Sequence, residues 1–594
     1  MCNVFDYLLQ LHNANYFKKF ILMKKSLIIC LAALGLLLIG GGVFAAIYFS
    51  GDDKKQDTTE SKTEALDEAA VFYINLDQLV QKSNVHEILN DFNRSVLANA
   101  ITQELGDRQW TEYTNEILAN LNSSGIDTTI PIYGYLSFEG NGAYEPEVAF
   151  TIVAEVADAE MVDRFVEYIS TLSGEYIPVY HDGDMRQINI EDSVFVGYNN
   201  ERFVFVWCNT DGTLNDYVTS AFERPRADLS AYAEYDIAAS VMLKPFYDTI
   251  IAEVEYELDN MYTSMEECRE MLNDDDIDYY DSMYIEDDIM WYQQQIESTE
   301  TSLEVMKGYE DMIQDNSNMI VGLVFEDGEM ALEYSINGVE AMYEIDKKVS
   351  NEHLAYIESN ALAVLNVAVD GEIISEVLSE VLTPDLADEF DMERNEFNLY
   401  TGIACDAIKS INGDVMIAVN DLYGNYYGIN SGDGMVAISV NDDYIISAVG
   451  QFANGYLTKT GNNQYSLYES GMEVNLGQDD QTLYLALNMD YEKCASSAKK
   501  APWLNDVEDS YGYLVLNIDS MMQNNAIASL YRNAMHNLDY QEAALVDNLI
   551  DAVSYAYVSA ETPTSARMAI VFDDQQTNSL AQIVNIVGSA VLAR

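Results

Sequence analysis

The chain has 594 residues and a net charge of −71, from 100 acidic and 29 basic residues. A hydrophobic fraction of 49% excludes a disordered chain and leaves room for two or more domains. Beyond residue 50 there are 99 acidic and 25 basic residues, a balance that excludes nucleic acid and anionic lipid headgroups as partners of the body.

Residues 1–22 read as a mis-assigned start, because Met23-Lys24-Lys25 followed by an apolar run has the form of an export signal. Leu27 to Phe49 is 23 residues without a charge, long enough to span a bilayer, so residues 23–50 are expected to be a transmembrane anchor or signal and residues 27–49 the membrane contact. Lys18, Lys19, Lys24 and Lys25 precede the run, which places the N-terminus on the cytoplasmic side and the body outside. The expected location is the bacterial cell envelope, anchored in the inner membrane, or secreted if Val43-Phe44-Ala45 is cleaved. Cys30 follows bulky Ile29 early in the run, a poor lipoprotein context, and residues 51–68 form a charged, Thr-rich linker.

A first α+β half is expected over residues 69–350. It opens with Val71-Phe72-Tyr73-Ile74-Asn75-Leu76-Asp77, a strand with Phe72, Ile74 and Leu76 on its buried face, running into a helix. Close variants recur at Ala363 to Asp370, Tyr484 to Asp490 and Tyr513 to Asp519, so Asp77, Asp370, Asp490 and Asp519 are expected to cap helices. Helices are expected from about Val85 to Leu105 and Thr111 to Leu121, and strands over Ile130 to Phe138 and Val148 to Val156. Asp158 then caps a helix, Ser193 to Trp207 turns at Asn199-Asn200, and Ile237 to Leu243 is a further strand.

Ile251, Val254, Leu258, Met261, Met265, Cys268 and Leu272 step by three and four, a heptad seam. Ile285, Ile289, Tyr292, Ile296, Thr299, Leu303 and Met306 keep a similar step. Joined by Asn273 to Tyr284, the two arms predict an antiparallel coiled-coil hairpin over 245–314, each arm roughly 33 Å long at 1.5 Å per residue, and a protein partner is expected there. The tip is acidic, and Asp274, Asp276 and Asp278 are candidate calcium ligands, although Tyr279 stands where an EF-hand turn requires Gly. No other cofactor is indicated. Met319 to Phe325 and Met330 to Ile336 flank Glu326-Asp327-Gly328 as a hairpin.

The second half, residues 351–594, opens with the Ala363 unit. Val415 to Val419 is a strand, Asp421 to Asp433 a loop rich in Gly, Asn and Tyr, and Met435 to Val440 pairs with Tyr444 to Val449 about Asn441-Asp442-Asp443. A helix over Glu542 to Ile550, strands at Val553 to Ser559 and Ala566 to Phe572, and a helix from Ser579 to Leu592 complete it.

No nucleophile elbow, zinc helix, phosphate loop or dinucleotide fingerprint appears, and the cysteines and histidines are too scattered for a metal or disulfide framework. Ser496-Ser497-Ala498-Lys499 and Lys459-Thr460-Gly461 match two motifs of penicillin-binding enzymes, but in reversed order and in a polar context. No catalytic residue is assigned.

The opening Ala70 to Leu89, Gly125-Ile126-Asp127 with Pro131-Ile132-Tyr133, Gly413-Asp414-Val415 and the closing Asn578-Ser579-Leu580 together resemble an uncharacterised family of exported bacterial envelope proteins, domain of unknown function 4836. The resemblance implies an envelope location and a repeated α+β body. It carries over no activity, and the lipoprotein cysteine usual in the family is missing. The expected architecture is α+β, two related halves with antiparallel sheets packed by helices, an N-terminal transmembrane helix and an inserted coiled-coil hairpin. The expected role is non-enzymatic binding, scaffolding or assembly. The alternative is a hydrolase with a carboxylate pair acting on an envelope or glycan substrate.

Overall fold

A computed structural model of the chain describes residues 63–592, apart from 66–68, most of 85–107, 140–146, 174–176, 210–213, 273–278, 311–312, 340–346, 382–392, 426–427, 453–456 and a few single positions. The expected anchor at 27–49, most of the helix expected at Val85 to Leu105, and Asp274, Asp276 and Asp278 fall outside the described residues. Among the described residues no helix is long and apolar enough to cross a membrane. The fold is mixed α and β, built on antiparallel sheet in two compact units. One runs up to Val324 and adds Ile336–Glu340 and Leu580–Gly588. The other takes Phe325–Ser335, Ala341–Ser579 and Ser589–Arg594.

The first unit contains β1 (Thr63–Ala65), β2 (Ala70–Ile74), α1 (Leu76–Ser83), α2 (Arg108–Ala119), β3 (Ile132–Glu139), β4 (Glu147–Glu155), α3 (Ala159–Ser173), β5 (Tyr180–Asp182), β6 (Met185–Glu191), β7 (Val194–Tyr198), β8 (Arg202–Cys208), α4 (Leu214–Glu223), β9 (Arg226–Asp228), β10 (Ile237–Met242), α5 (Leu243–Leu272), α6 (Tyr279–Glu310) and β11 (Ile313–Glu326). Its sheet is antiparallel throughout, in the order β5-β6-β7-β8-β4-β3-β2-β10-β11, while β1 and β9 form a separate parallel pair. The turn between β7 and β8 closes as expected, with Asn199 Oδ1 accepting from the backbone N–H groups of Glu201 and Arg202. Asp158 caps α3 by accepting from the N–H groups of Glu160 and Met161.

Two expectations about the opening unit are corrected. Val71 and Tyr73 face the core, whereas Phe72 is 45% exposed. Both faces of this strand are apolar, so alternation could not choose between them. The Tyr73 ring stacks on Tyr232 while its hydroxyl accepts from Asn75 Nδ2. The cap of α1 is Asn75, two residues before Asp77, because Asn75 Oδ1 reaches the N–H of Gln78.

In the second unit come β12 (Glu329–Val339), β13 (Ala363–Asp370), α7 (Gly371–Val381), α8 (Arg394–Lys409), β14 (Ile411–Asn425), β15 (Gly428–Val440), α9 (Tyr444–Phe452), β16 (Thr458–Gly461), β17 (Gln464–Glu469), β18 (Met472–Asp479), β19 (Thr482–Leu487), α10 (Leu504–Val507), β20 (Gly512–Leu516), α11 (Ile518–Gln523), α12 (Asn525–Met535), α13 (Tyr540–Ile550), β21 (Val553–Thr562), β22 (Ser565–Phe572) and finally α14 (Ser579–Leu592), most of which belongs to the first unit. The sheet order is β12-β22-β21-β20-β13-β14-β15-β19-β18-β17-β16, again antiparallel. Asp370 caps α7 as expected, but the α11 cap is Asn517 and not Asp519. β19 runs into a turn rather than a helix, so Asp490 caps nothing.

Asp421 to Asp433, expected to be a loop, instead extends the β14–β15 hairpin, and Tyr423 donates to the Asp433 carboxylate across it. Tyr444 to Val449, expected to be a strand, is the helix α9. Asp442 Oδ1 accepts from the Tyr444 N–H, and Ile446 is buried against Val440 and Leu483.

One face of the second sheet carries the core. Val364, Met416, Met435, Tyr513, Tyr557 and Val571 pack against Leu354, Ile357, Trp503 and Val507. The other face is apolar in register. Leu332 pairs with Met568, Met568 with Val558, Val558 with Leu514, and Leu514 with Leu365. From there Leu365 pairs with Ile417, Ile417 with Val436, and Val436 with Leu485.

A buried carboxylate ties the start of this unit to its sheet. Asp414, 1% exposed, accepts from the N–H and hydroxyl of Ser350 and from the N–H of Asn351, at 2.8, 3.1 and 2.8 Å. Asn366 Nδ2 lies 3.3 Å away, and the Tyr513 hydroxyl donates to Asn351 Oδ1 at 2.7 Å. Asp414→Ala takes this acceptor from the buried Asn366 amide and releases Ser350 and Asn351, so urea unfolding of the variant is expected to show a loss of about 1–3 kcal/mol.

Next to this node His353 is 3% exposed, with Nε2 3.0 Å from Ser439 Oγ. Burial pushes its pKa below the ordinary value, against the pull of the Asp414 charge. Below about pH 6.5 the unfolded chain binds a proton that the folded chain refuses, so this group's contribution to stability falls with pH until the folded imidazole also titrates. Unfolding at pH 7, 6 and 5 should therefore show the wild type losing stability relative to His353→Gln.

Candidate functional site

α5 and α6 are 30 and 32 residues long, about 45 Å each at 1.5 Å per residue, so the arms exceed the sequence expectation. They run antiparallel. The Tyr247 hydroxyl donates to the Met306 carbonyl at 2.7 Å, Lys307 pairs with Glu255, and Tyr262 donates to Glu300 Oε1 at 2.6 Å. The Glu300 contact pushes the Tyr262 phenol above its ordinary pKa. The expected seam is the line where the helices meet: Ile251, Met265, Ile296 and Leu303 are buried, and no other seam residue is exposed.

Off the seam the surface has a different character. Met271, Met283, Tyr284, Met290 and Trp291 are 41–64% exposed, all toward the turn end of the pair. The Trp291 and Tyr292 rings meet edge to face, 5.0 Å apart. Residues 243–310 hold 20 acidic residues and three basic ones. Each of the three pairs within the hairpin: Lys244 with Asp248, Arg269 with Glu266, and Lys307 with Glu255. An apolar strip in so acidic a surround can contact a partner that is itself apolar and basic. The sequence signal for it was the presence of large side chains off the heptad positions, which seam-finding ignores.

The cleft beside α4 is less distinctive. It measures about 450 Å³ and is lined by Met185, Val194, Phe195, Val218 and Phe222, with Glu223 as its carboxylate. Elsewhere, clustered carboxylates are spent on structure. Glu326, Glu329 and Glu333 converge on Arg567, which binds Glu329 through two nitrogens at 2.9 and 2.8 Å. Asp228, Asp370 and Asp574 are held below the usual carboxylate range by the Ser230 N–H, the Lys347 ammonium and the Thr577 hydroxyl respectively. Among the described residues no three His, Cys, Asp or Glu side chains converge as a metal site. Ser496 bonds to Ser359, and Lys459-Thr460-Gly461 lies in the outermost strand, β16.

The short motifs that suggested a family turn out to hold the backbone. Gly125 has φ +89°, and a Cβ there would stand 2.4 Å from the Asp158 carbonyl oxygen, while Asp127 Oδ1 accepts from the Thr129 N–H. Gly413 has φ +130° beside Asp414. Asn578 Nδ2 donates to the Phe325 carbonyl, and the Ser579 hydroxyl donates to that of Glu329. A family described as a domain of unknown function, DUF4836, matches residues 268–580, more than half of the chain, from within α5 to the start of α14. No curated protein and no solved structure matches the chain. On the strength of that match the chain belongs to the DUF4836 family.

Proposed function

We propose that this is an exported protein of the bacterial cell envelope, held to the inner membrane by residues 27–49, with a binding, scaffolding or assembly role exercised through the α5–α6 hairpin. The apolar strip around Met290 and Trp291 on an acidic arm is the observation that supports it. We read the seam as a coiled coil, since its steps of three and four coincide with the least exposed residues. The body reads as two related halves. The run β4-β3-β2-β10 of one unit has the same connections as β15-β14-β13-β20 of the other, with helices inserted at corresponding places. On that reading α5–α6 stands where the second unit has α11, α12 and α13, and has been lengthened into an arm. The rival hydrolase draws less support, because the cleft beside α4 offers Glu223 without a second carboxylate among its lining residues.

Crosslinking in intact cells followed by affinity capture tests the arm. A partner captured by the full chain is expected to be lost when Glu253 to Met306 are removed. Trp291→Ala is expected to weaken its binding about tenfold or more, the scale of an aromatic anchor, and added salt to weaken it further. Capture unchanged by both alterations would rule out the hairpin as the docking arm.

A further inference from the structure

We infer that the bare face of the second unit's sheet is a self-association surface, taking the same face of a second copy of this chain. On that face Leu332, Met568, Leu514, Leu365, Ile417 and Leu485 are 36–53% exposed, although they stand in register on neighbouring or near-neighbouring strands. α9 covers one corner, at Ile438, Leu476 and Leu483. Outside that corner the face spans eight strands, about 34 Å at ~4.8 Å per strand, and three residue positions along each strand, glycine at Gly434 and Gly512, make it about 20 Å deep.

Two observations choose the occupant. The first is charge. The rows through Ala363, Leu365 and Val367 cross the sheet without meeting a single charged side chain, in a chain of net charge −71. The partner must therefore be as apolar as the face itself. The second is area. Roughly 650 Å² exceeds the apolar patch of an ordinary monomer, and it approaches the ~800 Å² per partner of a standard stable interface. Two twisted sheets stack face to face about 10 Å apart, and a two-fold axis satisfies both copies with one patch. Such an axis falls between β13 and β20, next to Leu365. Because both copies are strongly acidic, association strengthens as salt screens their repulsion, opposite to the salt response of a basic partner at the hairpin.

The test uses the full chain. Leu365→Cys, treated in intact cells with a short bismaleimide, is expected to give a crosslinked dimer well above the background of the native cysteines. Light scattering of the purified wild type should report twice the chain mass, with the dimer fraction rising several-fold between 50 and 500 mM salt. Leu365→Glu should return a monomer. If that variant fails to fold, Ile417→Thr with Leu485→Thr, which keeps strand-forming residues, should weaken the dimer at least tenfold. A wild type that is monomeric at every concentration and salt, or a co-purifying lipid that is lost on Leu365→Glu while the mass stays that of one chain, would overturn the inference.

Discussion

The second unit depends on a carboxylate that has almost no contact with water. Asp414 stands on β14, accepts from the backbone at Ser350 and Asn351, and faces Asn366 of β13. Asn351 in turn receives the hydroxyl of Tyr513 on β20. Three adjacent central strands and the chain segment entering the unit are thereby held by one charge. A buried carboxylate is stable only when surrounded by donors. The left-handed backbone of Asn351, at φ +59°, and of Gly413 brings those donors to it. Arg567 on β22 plays a matching part, where its guanidinium binds Glu326, Glu329 and Glu333 together.

With charge used internally in this way, the polar surface left over is overwhelmingly acidic, and the apolar exceptions stand out. Two are large: the turn end of the α5–α6 hairpin and the uncovered face of the second sheet. They differ in kind. The hairpin strip is narrow and set among carboxylates, which suits a basic partner. The sheet face carries no charge and suits its own copy. Ionic strength would push the two proposed contacts in opposite directions, which makes them separable.

Much of the architecture is legible in local sequence pattern. The heptad seam from Ile251 to Met306 located both arms, because a step of three and four kept over seven positions in each arm reads as helix. Asn199-Asn200 and Asp158 marked a turn and a cap through local hydrogen bonding that needs no tertiary context. The errors share a cause. Tyr444 to Val449 is short and apolar, equally at home in a strand or a buried helix, and the Asp442 cap decided it. Asp77 and Asp519 yielded to Asn75 and Asn517 because a cap is set by where the backbone leaves the strand, a matter of one or two residues.

By itself the sequence determined the class of the fold, the acidic surface, the helical arm and the family, since each rests on composition, period or short local motifs. Only the tertiary structure decided which face of each strand is covered. In β2 both alternating sets are apolar, so Phe72 reads as core and stands partly in solvent, as do Leu365 of β13 and Leu514 of β20. Burial is settled by what packs above the sheet, and that is contributed by segments distant in the chain. The same holds for Asp414, an ordinary acidic residue in the sequence, which becomes the anchor of a unit once residues 350, 351 and 366 close around it.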